Sequence, residues 1–148
     1  MLVTLNSDAS YIHSTKEAGY AFWISSDVGR FKKYGKLKNA VNSTTSEVMS
    51  IINGLHFCRT HPQLKHCTKI VINTDCMYAI HLGTCNKKLS SKSARQLRGR
   101  LQEYLGKYRG HKCEIEFRHV KAHVEITDSR SYVNDWLDQM AKKAAKEK

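Results

Sequence analysis

The stretch K69-I-V-I-N-T-D-C-M-Y-A-I80 is a short apolar run that stops abruptly on a carboxylate, Asp75, and turns at once into a second apolar pattern. Lys69–Thr74 has the length and β-branched content of a buried strand, and the segment from Asp75 to Leu82, closing at Gly83, has those of a short helix. A strand that hands directly to a helix belongs to a sheet with helices packed on it. Ligands on such sheets collect where the strands end.

Working outward, L2-V-T-L-N-S-D-A-S10 is a second run of β-formers that stops on an acid, Asp8, and G19-Y-A-F-W-I-S-S26 is a further β-rich run between turn residues. The two are expected to pair as a hairpin. After Asp27-Val28-Gly29, the segment R30-F-K-K-Y-G-K-L-K-N39 alternates bulky and basic residues as a third strand with one solvated face would. The period then changes. Val48, Ile51, Ile52 and Leu55 fall at i, i+3, i+4 and i+7, one face of a helix. From about Ser90 a longer basic helix carries Leu97, Leu101, Leu105 and Tyr108 on one side. C113-E-I-E-F-R-H-V120 is the last strand, a polar loop runs from about Ala122 to Ser131, and S131-Y-V-N-D-W-L-D-Q-M-A-K-K-A-A-K146 is a closing helix. The predicted order is β β β α β α α β α, an α/β arrangement with a mixed sheet.

The chain has 148 residues, 41% of them hydrophobic, 26% charged and one a proline, which suits one globular domain spanning 1–148 that buries a core without disulfides. The five cysteines form no C-x-x-C pair. A metal site among them and His56, His61 and His66 would need several separate elements to aim at one point, so reduced thiols are expected. No run of about 18 apolar residues or charged-then-apolar leader is present, so a membrane partner is not expected and the default compartment is cytoplasmic. Lys and Arg number 25 against 13 Asp and Glu, a formal charge of +12 that attracts polyanions; nucleic acid is the natural partner.

Against that charge, the acids are the anomaly. Each has a simple local account. Asp75 fits a helix N-cap and Asp8 a turn; Thr44 and Glu47 read as a T-x-x-E capping box; Asp135 and Asp138 suit the positive start of the last helix. Those accounts do not explain why so many of the few acids fall at strand ends and helix starts. A cluster of carboxylates repels itself unless a hard divalent cation holds the group ionised, and an acidic metal site in a basic surface suits phosphodiester cleavage.

The motifs N6-S-D-A-S10, S43-T-T-S-E-V-M-S-I-I-N-G-L55, I72-N-T-D-C-M-Y-A-I80 and V120-K-A-H123, followed by V133-N-D-W-L-D-Q-M-A-K-K-A144, resemble in their order and in the elements they fall on those of the type 1 ribonuclease H family, over nearly the whole chain. The resemblance implies a ribonuclease H-like fold with a five-stranded mixed sheet flanked by helices. It implies that Asp8, Glu47, Asp75 and Asp138 ligate two Mg²⁺ or Mn²⁺ ions; Asp138 is chosen over Asp135 because Asn134 and Asp138 align with the family's Asn-Glu-x-x-Asp pattern. His123 matches the family's loop histidine, which helps move a proton or release product. It stands fifteen residues before Asp138, a longer loop than is common there. The implied activity is an endonuclease that cuts the RNA strand of RNA/DNA hybrids, leaving 5′-phosphate and 3′-hydroxyl ends. Ser10, Ser43, Thr44, Met77, Tyr78 and Asn134 occupy positions that contact the hybrid. A reduced basic protrusion is expected between Gly83 and Arg100, with Lys87, Lys88, Lys92, Arg95 and Arg98 facing phosphates or solvent. The protein is expected to be a free-standing monomer. The alternatives are a related nuclease acting on DNA or junctions, a domain of a larger polymerase, and a non-catalytic nucleic-acid-binding module.

Overall fold

The computed structural model describes residues 1–85, 88–120 and 129–147. In chain order the elements are β1 (Leu2–Ile12), β2 (Glu17–Ser26), β3 (Gly29–Leu37), α1 (Ser43–Thr60), β4 (Lys69–Thr74), α2 (Met77–Thr84), α3 (Lys92–Gly110), β5 (Glu114–His119) and α4 (Ser129–Lys146). This is the order the hydrophobic pattern predicts. Several boundaries differ: β1 runs on to Ile12, so Asp8 lies inside the strand, opposite Ala21, rather than at its end; β2 begins at Glu17, α2 at Met77 and α4 at Ser129.

The strands form one sheet in the order β3-β2-β1-β4-β5. β1 pairs antiparallel with β2 and β2 with β3, whereas β1–β4 and β4–β5 are parallel, so the sheet is mixed as expected. β4 is buried along almost its whole length, which is why K-I-V-I-N-T reads as a continuous apolar run rather than an alternating one. β2 does alternate. Phe22 and Ile24 join the main core with α1, α2 and α3, while Ala21 and Trp23 pack with Leu137 and Ala141 of α4 on the opposite face.

α1 is capped by Asn42. Its side chain accepts from the Thr45 N–H at 2.8 Å, and the Thr45 hydroxyl accepts from the Asn42 N–H at 3.1 Å. The expected Thr44–Glu47 capping box is therefore not formed; the box sits two residues earlier. The N-cap position of α2 is Cys76 rather than Asp75, and no side chain caps that helix. Both corrections release an acid from its simplest structural role.

α3 is tied to α1 by the Tyr108 hydroxyl, which donates to the Leu55 carbonyl at 2.7 Å. α2 and α3 are the two described helices between β4 and β5. The five cysteines are free thiols, with Cys67 and Cys113 sulfurs 3.5 Å apart in the core. Among the described residues no helix is long and apolar enough to cross a membrane.

α4 lies directly on β2. A Cβ added at Gly19 would stand 2.4 Å from both the Ala141 carbonyl oxygen and the Ala145 nitrogen, which are helix backbone and cannot swing aside. Gly19→Ala should therefore push α4 off the sheet and cost about 3 kcal/mol, read as a lowered urea midpoint.

Candidate metal centre

The site begins with two matching triplets, Asn6-Ser7-Asp8 at the end of the buried part of β1 and Asn73-Thr74-Asp75 at the end of β4. Asn6 and Asn73 are register partners in the parallel ladder. Their side chains meet: Asn73 Nδ2 donates to Asn6 Oδ1 at 2.8 Å, and Asn6 Nδ2 donates to the Trp23 carbonyl at 3.2 Å. Both asparagines are buried, so this amide ladder fixes the relative height of β2, β1 and β4. Two residues further along each strand the side chain returns to the same face. That register brings Asp8 and Asp75 out side by side.

Glu47 comes to them from α1. Asp8, Glu47 and Asp75 each offer a carboxylate oxygen such that all three lie within 4.8 Å of one another. The Ala9 N–H is shared between two of them, donating to Asp8 Oδ1 at 2.9 Å and to Glu47 Oε1 at 3.2 Å. Glu47 Oε2 is buried and has no protein partner. His119, at the end of β5, points Nε2 at the Asp75 carbonyl oxygen, 3.1 Å away; a carbonyl only accepts, so that nitrogen is the protonated one.

Burial is the main reason the Asp8 carboxyl is raised to about 6; the Asp75 and Asp138 charges push the same way, and hydrogen bonds from Glu47 and Ala9 partly oppose them. Glu47 is raised well above the usual carboxylate range, again first by burial and then by the Asp8 charge. Without a cation, burial and neighbouring charge therefore favour proton uptake by the Asp8–Glu47 pair. A divalent ion fits this donor set. It supplies the missing partner of Glu47 Oε2, and three hard oxygens from separate elements suit Mg²⁺ or Mn²⁺.

Asp138 projects from α4 toward the group and its charge acts on Asp8, but it pairs with Lys142 at 2.9 Å and stands outside the three-carboxylate cluster. Asp135, its rival for the fourth place, accepts from Gln139 at 2.8 Å. Of the expected hybrid contacts, Ser43 and Thr44 are exposed on the first turn of α1, and Met77 is exposed at the start of α2. Ser10 is half-buried opposite Gly19, Asn134 is half-buried one turn before Asp138, and Tyr78 packs partly against the core. His123 and Lys87 lie outside the described residues.

The RNase H family model matches residues 2–146. The chain belongs to the RNase H family. The RNase H fold is shared with solved structures of low identity. RNase H1 from the halophilic archaeon Halobacterium salinarum superposes with a TM-score of 0.74 at 16% identity, covering 97% of each chain. The N-terminal RNase H domain of rv2228c from Mycobacterium tuberculosis gives 0.73 at 16%, covering 98% of this chain and 99% of that one. LC11-RNase H1 in complex with an RNA/DNA hybrid gives 0.73 at 9%, covering 97% and 96%. A comparison with curated protein sequences finds no match.

The asparagines and Ser50 are the residues of this RNase H site that the motif reading passes over. The repeated N-S-D and N-T-D triplets were the available signal for the former; nothing in the sequence marks Ser50.

The raised carboxyls carry a pH signature. The folded state holds a proton on Asp8 that the unfolded chain releases near 3.8, so this stability is present at low pH and lost as pH rises from about 4 through about 6. Asp8→Asn mimics the protonated form. In metal-free buffer the variant and wild type should unfold alike at pH 4, and the variant should be the more stable by up to about 3 kcal/mol at pH 7, measured by urea titration at each pH.

Proposed function

We propose that this RNase H family protein is a metal-dependent endonuclease that cleaves the RNA strand of RNA/DNA hybrids. The observation that carries the reading is the convergence of Asp8, Glu47 and Asp75, from β1, α1 and the end of β4, into one half-buried cluster just beyond the end of the β1–β4 ladder. It agrees with a family match over residues 2–146 and with the likeness to an RNase H1 whose structure holds an RNA/DNA hybrid.

Asp8, Glu47 and Asp75 would hold the ions, with Asp138 as the fourth ligand once its carboxylate leaves Lys142. Two bound Mg²⁺ or Mn²⁺ ions supply a water acidic enough to attack at neutral pH and charge to offset the leaving 3′ oxygen. The products would be 5′-phosphate and 3′-hydroxyl ends. Glu47 must release its proton before it ligates, so ion binding is coupled to proton release and weakens in acid. The Ala9 N–H keeps Asp8 and Glu47 oriented toward a common point throughout.

The basic surface, +12 overall, holds the phosphates, and this term carries no preference for hybrid over duplex. Preference for the RNA strand must come from groups that meet 2′-hydroxyls across the shallow minor groove. Ser10, Ser43, Thr44, Met77, Tyr78 and Asn134 are the proposed contacts. His123 is proposed to assist proton transfer or product release.

An end-labelled RNA/DNA hybrid, beside single-stranded RNA, duplex RNA and duplex DNA, tests the reading with Mg²⁺ or Mn²⁺ present. The hybrid alone should be cut, and Asp75→Asn should lower the rate by more than about a hundredfold. A folded wild-type protein that cuts none of the substrates with either ion would reassign it as a nucleic-acid-binding module. Cutting of duplex DNA in preference to the hybrid would move it to a related nuclease.

A further inference from the structure

Ser50 is fully buried on α1, three residues beyond Glu47 and therefore on the same side of that helix. Its hydroxyl donates to the Asp8 carbonyl oxygen at 2.9 Å, with the Ala21 carbonyl oxygen 3.4 Å away. The Asp8 carbonyl and the Ala9 N–H are the two polar ends of one planar, trans peptide group, and they point in opposite directions. At the far end of that plane the Ala9 N–H donates to both Asp8 Oδ1 and Glu47 Oε1. The hydroxyl at one end thus sets the tilt of the group that holds the two carboxylates at the other.

This stretch of chain needs such a hold. The β1–β4 ladder ends at the Asn6↔Asn73 pair, so the part of β1 carrying Asp8 has a strand neighbour, β2, on one edge only. α1 has no strand hydrogen bonds of its own, and its rotation decides where Glu47 points. A single hydroxyl proton from α1 to the β1 backbone restrains both.

We infer that Ser50 is a positioning residue that keeps Asp8 and Glu47 at metal-ligating separation by clamping the Asp8–Ala9 peptide plane to α1. The inference rests on the reading of these carboxylates as ion ligands and adds to it the group that sets their geometry. Ser50 touches neither ion nor substrate; its effect passes through the peptide.

Ser46 provides the control. It is equally buried on the same helix, next to Glu47, but its hydroxyl bonds back to the Asn42 carbonyl at 2.7 Å and does not reach β1. Alanine is the best helix former, so both S50A and S46A should fold. Mn²⁺ binding to the metal-free full chain, measured by calorimetry, is expected to weaken about tenfold in S50A, the usual scale for loss of an outer-sphere support, and to stay within twofold in S46A. Thermal melts recorded beside it separate loss of fold from loss of geometry. In hybrid cleavage, S50A should lower kcat while the KM for the hybrid holds, because the substrate contacts are elsewhere.

Unchanged Mn²⁺ affinity in S50A overturns the inference, and so does equal weakening in S46A, which would make the effect a general loosening of α1. A wild type that binds no Mn²⁺ overturns it too. A wild type that binds Mn²⁺, loses affinity in S50A and cuts no hybrid would sink the proposed activity and leave the positioning role of Ser50 standing.

Discussion

The crowding of three carboxylates into a half-buried place with little water governs this molecule. Asp8, Glu47 and Asp75 lie within 4.8 Å of one another, and Asp8 and Glu47 are both driven upward first by burial and then by their neighbours' charge. Left to itself such a group would spread apart or take up protons. Here it is held by the backbone of three elements. The Ala9 N–H bridges two carboxylates and Glu47 Oε2 has no protein partner, so the protein satisfies the cluster only in part. A divalent cation would meet the remainder, and protons and the cation would compete for the same oxygens.

The sheet topology is what makes the convergence possible. β1 and β4 are parallel neighbours whose ladder ends at the Asn6↔Asn73 pair, so Asp8 and Asp75, two residues beyond, come out together. The Asn73–Asn6–Trp23 amide ladder then sets their height to within one residue. A slip of one residue would turn Asp8 or Asp75 to the opposite face, which is why polar side chains buried in the middle of a sheet are tolerated here. α1 delivers Glu47 against that edge, and its capping is done by Asn42 and Thr45 rather than by Glu47 itself, which leaves the glutamate free to face the aspartates.

The charge distribution follows the same division. Formal charge is +12 over the chain, yet the centre is anionic. At a surface in contact with salt the basic residues act collectively and at range, and they concentrate phosphates without distinguishing them. In the half-buried cluster, interactions are short and strong, and geometry decides them. Asp138 stands between the two regimes: half-buried, felt by Asp8, and paired with the more exposed Lys142. Such a partly solvated pair is weak and can be exchanged for a better cation.

The chain's own periodicities determined the element order. A continuous apolar run for β4, a β-rich run for β2, alternation in β3, and the i, i+3, i+4, i+7 face of α1 are consequences of burial that any fold of these residues must respect. The motifs also singled out the three carboxylates that cluster, although only Asp75 follows a strand end; Asp8 lies inside β1 and Glu47 inside α1. The local role of each acid was not legible. Asn42, Thr44, Thr45 and Asp75 all satisfy the chemistry of a helix cap, and which one serves depends on where the backbone enters the helix, a choice made by packing. Partners distant along the chain were equally hidden: Asn6 with Asn73, Ser50 with the Asp8 carbonyl, Gly19 beneath Ala141 and Ala145. A sequence records which groups are able to donate, accept or fill space. The tertiary structure alone decides which of them meet, since a hydrogen bond or a close backbone approach is fixed by positions to a few tenths of an ångström that only the assembled sheet and helices supply.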